Sequence, residues 1–155
     1  MKRHTYTAAT VWTGNDGTGT QTYKSYRRDH TLSAPGRPEL LASSDPAFRG
    51  DPARYNPEIL LVASLSSCHM LWYLHLCSAN GIVVQAYRDD PVGEMEEADN
   101  GSGKFVRVVL HPTVTIQPGG DVARAKALHE EAHRYCFIAN SVNFPVETEP
   151  TVATA

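Results

Sequence analysis

Two cysteines, Cys68 and Cys136, lie far apart in the chain, each near the middle of a segment that reads as a helix. The first residues, Met1-Lys2-Arg3-His4-Thr5-Tyr6, lack the apolar run expected of a signal peptide. A distant thiol pair without secretory context points to redox chemistry before it points to a structural bridge, and the expected compartment is the reducing cytoplasm. A third cysteine, Cys77, makes the number odd, so complete pairing within one chain is impossible.

Cys68 is the better nucleophile candidate. The thiolate is the reactive form, so its site must favour the charged sulfur. Cys68 sits about three turns into its helix, beyond the reach of the helix dipole at the N-terminus. That helix carries no cation. Arg37, Arg49 and Arg54 in the loop before it, or Arg27 and Arg28 further upstream, are the available sources. The same cysteine also suits a small buried hydrophobe. Cys77 follows Cys68 by nine positions, which puts it on the opposite side of the helix. It reads as core. If Cys68 has a partner sulfur in its own chain, Cys136 is the one left. Glu58 stands about 15 Å before Cys68 along the helix. It acts on that sulfur only across a subunit interface or through a bridging arginine. Otherwise it serves as a first-turn acid that complements the helix dipole.

The elements that must position these residues are legible in outline. Thr5 to Trp12 reads as a strand, Gly14-Asn15-Asp16-Gly17 as a turn, and Thr18 to His30 as a second extended run. Ser33 to Tyr55, with Pro35, Gly36, Pro38, Pro46, Gly50 and Pro52, reads as a long loop. Asn56 and Pro57 supply an N-cap and a first helical position, and Gly81 closes the helix after Asn80. Ile82 to Met95 and Lys104 to Ile116 form a hairpin around Asn100-Gly101-Ser102-Gly103. Asp121 caps a second helix expected to run to about Asn140, and Val146 to Val152 is a closing strand. On that helix Leu128, Ala132, Tyr135, Cys136 and Ala139 share one face. The order β-β-β-α-β-β-α-β predicts an α+β fold, with antiparallel sheet segregated from two helices, in a single domain over residues 1–155.

Bulk properties exclude some functions. Hydrophobic residues make up 41% of the chain and the net charge is −3, so no basic face for nucleic acid is implied. From Ile59 to Ala79 there is no Asp, Glu, Lys or Arg. Serines and histidines interrupt this stretch, which favours a buried central helix over a membrane span. Such a helix is about 35 Å long. A globule of this size has a radius of gyration of about 15 Å. A dimer that shares the burial is therefore expected.

Asn56-Pro57-Glu58, then Leu60-Leu61, Ala63 and Cys68, with Cys136 late in a second helix, resemble the OsmC/Ohr family of osmotically inducible and organic hydroperoxide resistance proteins. The resemblance spans Asp45 to Val152 and is densest from Arg49 to Leu76. It implies an intertwined homodimer, with sheets from both chains wrapped around two central helices. It implies a thiol peroxidase that reduces organic hydroperoxides, binds no cofactor and is recycled by an external dithiol such as a lipoylated protein. Cys68 corresponds to the peroxidatic cysteine, Cys136 to the resolving cysteine in a redox-active disulfide, and Glu58 to the glutamate that holds an arginine. Arg49 is the arginine chosen by position and Arg28 the second. One departure stands out: many members have Cys-Pro where this chain has Cys136-Phe137. Met70, Leu71, Trp72, Tyr135, Phe137 and Ile138 supply apolar candidates for the lining of a substrate site.

Two other chemistries compete. His129-Glu130-Glu131-Ala132-His133 matches the His-Glu-x-x-His pattern of zinc hydrolases, with Glu130 as base, although no Gly-x-x-His follows. His129, His133 and Cys136 also form a candidate structural or sensory metal set. A non-catalytic member of the same family that binds a small apolar ligand is the remaining alternative.

Overall fold

The computed structural model describes every residue from Met1 to Ala155. It divides into two compact units, Met1–Leu60 and Leu61–Ala155.

The first unit is an antiparallel meander of three short strands, β1 (Ala9–Trp12), β2 (His30–Ser33) and β3 (Leu40–Ala42). Trp12 pairs with His30, and His30 with Ala42. The extended run expected from Thr18 to His30 is absent; only His30 is in a strand. Turn chemistry overrides the Thr and Tyr content there. Asn15 Oδ1 accepts from the amides of Gly17 and Gly19, both at positive φ. Trp12 Nε1 donates to the Arg27 carbonyl at 2.8 Å, which pins the returning chain. Gly14 is required at this crossing, because a Cβ would lie 1.9 Å from that same carbonyl oxygen. Below it, Asp29 is buried and held by Arg27, Arg54 and the Ser43 hydroxyl. The expected long loop contains β3 and a 3-10 turn at Pro46–Phe48 capped by Asp45.

Helix α1 (Pro57–Ala79) begins and ends where the caps indicate: Asn56 Oδ1 accepts from the Ile59 amide, and Gly81 has φ +71°. The expected all-round burial does not occur within one chain. Leu65, His69, Tyr73 and Cys77 are buried, a single stripe at four-residue spacing, while Ile59 and Leu71 on other faces are 49% and 60% exposed. By length and composition α1 is apolar enough to cross a membrane.

The hairpin in the second unit is long and broken in two. Its outer part pairs β5 (Val92–Glu97) with β6 (Gly103–Leu110), and its base pairs β4 (Val84–Asp89) with β7 (Pro112–Ile116). Pro91 and Pro112 bring no amide hydrogen to the ladder at the break. There Asp89 accepts from the His111 amide through Oδ1 and from the Ser66 hydroxyl through Oδ2. The closing strand is also two strands, β8 (Val146–Thr148) and β9 (Thr151–Thr154). They lie parallel to β6 and β7, so both sheets of this unit are mixed, while the first unit's sheet is purely antiparallel.

Helix α2 (Val122–Tyr135) is capped by Asp121, whose Oδ1 accepts from the Arg124 amide. Ala125, Leu128, His129 and Ala132 form its buried face. Tyr135, expected on that face, is 52% exposed. The helix stops at Tyr135 rather than near Asn140, and Cys136 is its extended C-cap. The Asn140 side chain takes the Arg134 carbonyl that a continuing helix would have used. A 3-10 turn, Ala139–Ser141, follows. Two apolar clusters result. One joins Tyr73, Cys77, Ile82, Val114, Ile116, Ala125, Leu128 and Ala132; the other centres on Leu65, Val108 and Leu110. The fold is α+β.

Leu65 is fully buried in the second cluster. Leu65→Ala is expected to destabilise the protein by about 3 kcal/mol, read as a lower midpoint in urea denaturation.

Candidate active site

Cys68 projects from α1 beside the buried stripe rather than within it, and it is half-buried. Cys136 is 1% exposed at the C-cap of α2, where the Ala139 amide donates to its sulfur at 3.4 Å. The two thiols are close enough for Cys68 to influence the ionisation of Cys136. Burial pushes the Cys136 thiol up to about 11, the Ala139 amide opposes that shift, and the neighbouring Cys68 adds to it. At neutral pH Cys136 therefore keeps its proton, and Cys68 is the more accessible sulfur. Cys77 is buried on the far side of α1, where burial also raises its pKa, and it takes no part in the pair.

A pocket of about 370 Å³ opens beside Cys68, lined by Leu71, Trp72, His75 and Phe137. Trp72 is its aromatic centre, stacked on Tyr135 at 5.1 Å and met edge-on by Phe137 at 5.6 Å. Phe137 thus supplies a wall of the pocket directly after Cys136. Leu71, Trp72 and Phe137, expected from the sequence, line it. His75 lines it as well and was not expected; it follows Cys68 by seven positions and so shares its helix face.

In the first unit, Glu58 sits in the first turn of α1 with Oε2 buried and without a hydrogen-bond partner. Arg49 caps the 3-10 turn in the left-handed conformation, φ 65°. Arg49 makes no ion pair, and none joins it to Glu58. The other candidate arginines are engaged. Arg27 pairs with Asp16 and Asp29, and Arg54 with Asp29 and Asp51. Arg28 donates to the Tyr23 and Tyr26 carbonyls with its guanidinium against both rings. Arg37 donates to the Pro35 carbonyl.

Residues 50–151 match the family model for OsmC-like protein. The chain belongs to the OsmC-like family. It is similar to the structure of an OsmC-like protein of unknown function from Vibrio cholerae, at 34% identity and a TM-score of 0.83, over 97% of this chain and 99% of that one. It shares its fold with an organic hydroperoxide resistance protein from Elizabethkingia anophelis, at 21% identity and a TM-score of 0.68, covering 99% of this chain and 100% of that one. An organic hydroperoxide resistance protein from Legionella pneumophila matches at 19% identity and a TM-score of 0.68, over 97% and 99%. No curated protein matches the sequence.

The zinc-type reading of this OsmC-like chain does not survive the geometry. His129 is turned into the interior, and no three His, Cys, Asp or Glu side chains, among them His129, His133 and Cys136, converge in a metal-holding arrangement. Instead, Nδ1 of His129 meets Nε2 of His69 at 2.9 Å. The ring planes differ by 6° and the centroids lie 5.3 Å apart, so the imidazoles are joined edge to edge in nearly one plane. Tyr73 covers His129 at 3.8 Å, and its hydroxyl donates to the Ala125 carbonyl. Sequence reasoning gave His69 no role. Its place in the Leu65, His69, Tyr73 stripe was the available signal, because a histidine there needs a buried partner.

Desolvation lowers His69 to about 4 and His129 to about 3, from an ordinary 6.5. Both stay neutral in the folded protein at pH values where the unfolded chain takes up protons. The stability this contributes is complete above about 6.5 and is lost as the pH falls toward 4 and 3. Stability in urea is expected to fall steeply over that range. A His69→Asn/His129→Asn variant is expected to show a shallower pH slope in the same titration.

Proposed function

We propose that this protein is a thiol peroxidase that reduces organic hydroperoxides to alcohols. The observation that carries the reading is the Cys68–Cys136 pair: one half-buried sulfur lining an apolar pocket and one buried, protonated sulfur near enough for the first to influence its ionisation. The names of the Elizabethkingia and Legionella proteins support the same chemistry.

The Cys68 thiolate attacks the outer peroxide oxygen. An S–O bond forms as the O–O bond breaks, and the alkoxide leaves and is protonated to the alcohol. Cys68 is oxidised by two electrons to a sulfenic acid. Cys136 gives up its proton and attacks the Cys68 sulfur. The S–S bond forms and the oxygen departs as water. An external dithiol, such as a lipoylated protein, then reduces the disulfide by exchange. No bound cofactor enters. Arg49, held by Glu58, stabilises the thiolate and the departing alkoxide. The unpartnered Glu58 oxygen and the unpaired Arg49 support this pairing, and the exposed apolar faces of α1 support a homodimer in which it forms. The working unit is then one OsmC-like domain per chain in a cytoplasmic homodimer, with Leu71, Trp72 and Phe137 holding the alkyl group.

Consumption of cumene hydroperoxide with dithiothreitol tests the reading. Wild type and Cys77→Ser are expected to turn over. Cys68→Ser is expected to be inactive, and Cys136→Ser to lose disulfide formation while its Cys68 sulfenic acid is trapped by dimedone. Equal inactivity in wild type and both variants would favour the non-catalytic, small-ligand-binding reading.

The arginine assignment has its own measurement. Arg49→Ala is expected to lower kcat/KM by about 100-fold, with Arg28→Ala near wild type. Glu58→Gln is expected to fall between them. A large loss in Arg28→Ala alone would transfer the role to that residue.

A further inference from the structure

Cleavage of a hydroperoxide by Cys68 leaves one proton to be supplied. The departing alkoxide is a strong base, and an acid positioned to protonate it as the O–O bond breaks lowers the barrier. An arginine stabilises the charge but does not give up its proton. The Cys136 thiol, pushed up to about 11 by burial, is a weak acid. The pocket at Cys68 holds one side chain of the type that exchanges protons near neutrality, His75.

His75 is exposed, and its ring is not spent elsewhere. Hydrogen bonds and an ion pair engage the rings of His30, His69, His111 and His129 and leave that of His75 open. The other pocket residues, Leu71, Trp72 and Phe137, offer no acid or base that competes for the position.

Helix geometry sets the distance to the sulfur. Seven residues make nearly two full turns, so Cys68 and His75 leave α1 in almost the same direction, about 10.5 Å apart along the axis. Long side chains on a helix lean toward its N-terminus. His75 does so: its ring meets the indole of Trp72, three positions earlier, at 5.8 Å and 78°. That lean carries the imidazole back toward Cys68. In-line attack sets sulfur, attacked oxygen and leaving oxygen in a row, with a first contact of about 3 Å, one O–O bond, and a hydrogen bond of about 2.8 Å to the acid. Such a row spans about 7 Å, which fits a rise of about 10.5 Å shortened by the lean of the ring.

We propose that His75 is the general acid of peroxide cleavage, a role that rests on the thiol peroxidase reading above. The Cys68 thiolate forms the S–O bond to the outer oxygen. The O–O electron pair passes to the inner oxygen, which takes the proton of the His75 imidazolium and leaves as the alcohol. Neutral His75 recovers a proton from water before the next turnover.

Two oxidants that differ in leaving group test this, with oxidation of the full chain followed by stopped-flow tryptophan emission. Cumene hydroperoxide releases an alkoxide that needs a proton, whereas 3-chloroperbenzoic acid releases a stable carboxylate that does not. His75→Ala and His75→Phe are each expected to slow oxidation by cumene hydroperoxide about 100-fold and oxidation by the peracid less than about threefold. Fast oxidation by the peracid also shows that the variants are folded with a competent thiol. His75→Phe keeps a ring against Trp72, so a rate restored in that variant alone would assign His75 to packing and overturn the proposal. Equal losses with both oxidants, or no loss with either, would overturn it as well. Wild type that reacts with the peracid but not with cumene hydroperoxide would sink the peroxidase reading itself, whereas normal wild-type turnover beside unaffected His75 variants removes only the acid.

Discussion

The register of α1 on α2 is set by a short buried contact, the edge-to-edge bond between His69 and His129 roofed by Tyr73, whose hydroxyl reaches the Ala125 carbonyl. Both partners have directional polar atoms in an interior where an unmade bond is costly, so sliding one helix along the other loses the bonds as well as the packing. His69 is the residue after Cys68, and His129 lies seven before Cys136. Fixing the two imidazoles therefore fixes where the two sulfurs arrive. The apolar cluster of Tyr73, Cys77, Leu128 and Ala132 supplies the adhesion, and the imidazole pair supplies the alignment.

The two sulfurs differ because their backbones differ. Cys68 belongs to a continuous helix and stands beside the stripe that faces the core. Cys136 belongs to a helix end, where the chain turns inward and the Ala139 amide points at the sulfur. Burial at that end keeps the second thiol protonated, while the first borders a pocket walled by Trp72 and Phe137. The asymmetry suits a division of labour between an accessible attacking sulfur and a guarded one.

The parts of this arrangement that rest on local chemistry were legible in the sequence. Asn56, Pro57 and Gly81 bounded α1, Asp121 began α2, and the Asn100-Gly101 turn placed the hairpin, because each acts through atoms a few residues away. The separation of Cys77 from Cys68 followed from helical geometry alone. What failed was decided by competing turn and end contacts or by distant partners. The Thr18–His30 run lost its strand to Asn15 and to the pull of Trp12 on Arg27. The end of α2 was decided by Asn140 reaching back to Arg134. His129 looked like half of a metal motif until His69, sixty positions earlier, claimed its nitrogen. Residue type alone also gave no means of choosing among the arginines. Carboxylates engage Arg27 and Arg54 and carbonyls engage Arg28 and Arg37, whereas Arg49 makes no ion pair.

The parallel pairing of β8 with β6 and of β9 with β7 bears on how the chain reaches this state. Val146 docks beside Val108 and Val152 beside Val114, each pairing closing a loop that contains all of α2. Closing loops of that size forfeits chain freedom before any compensating contact forms. The contact between His69 and His129 spans sixty residues, longer still, so the helix pairing and the last two strands both depend on long-range closure, while the hairpin alone assembles from near neighbours.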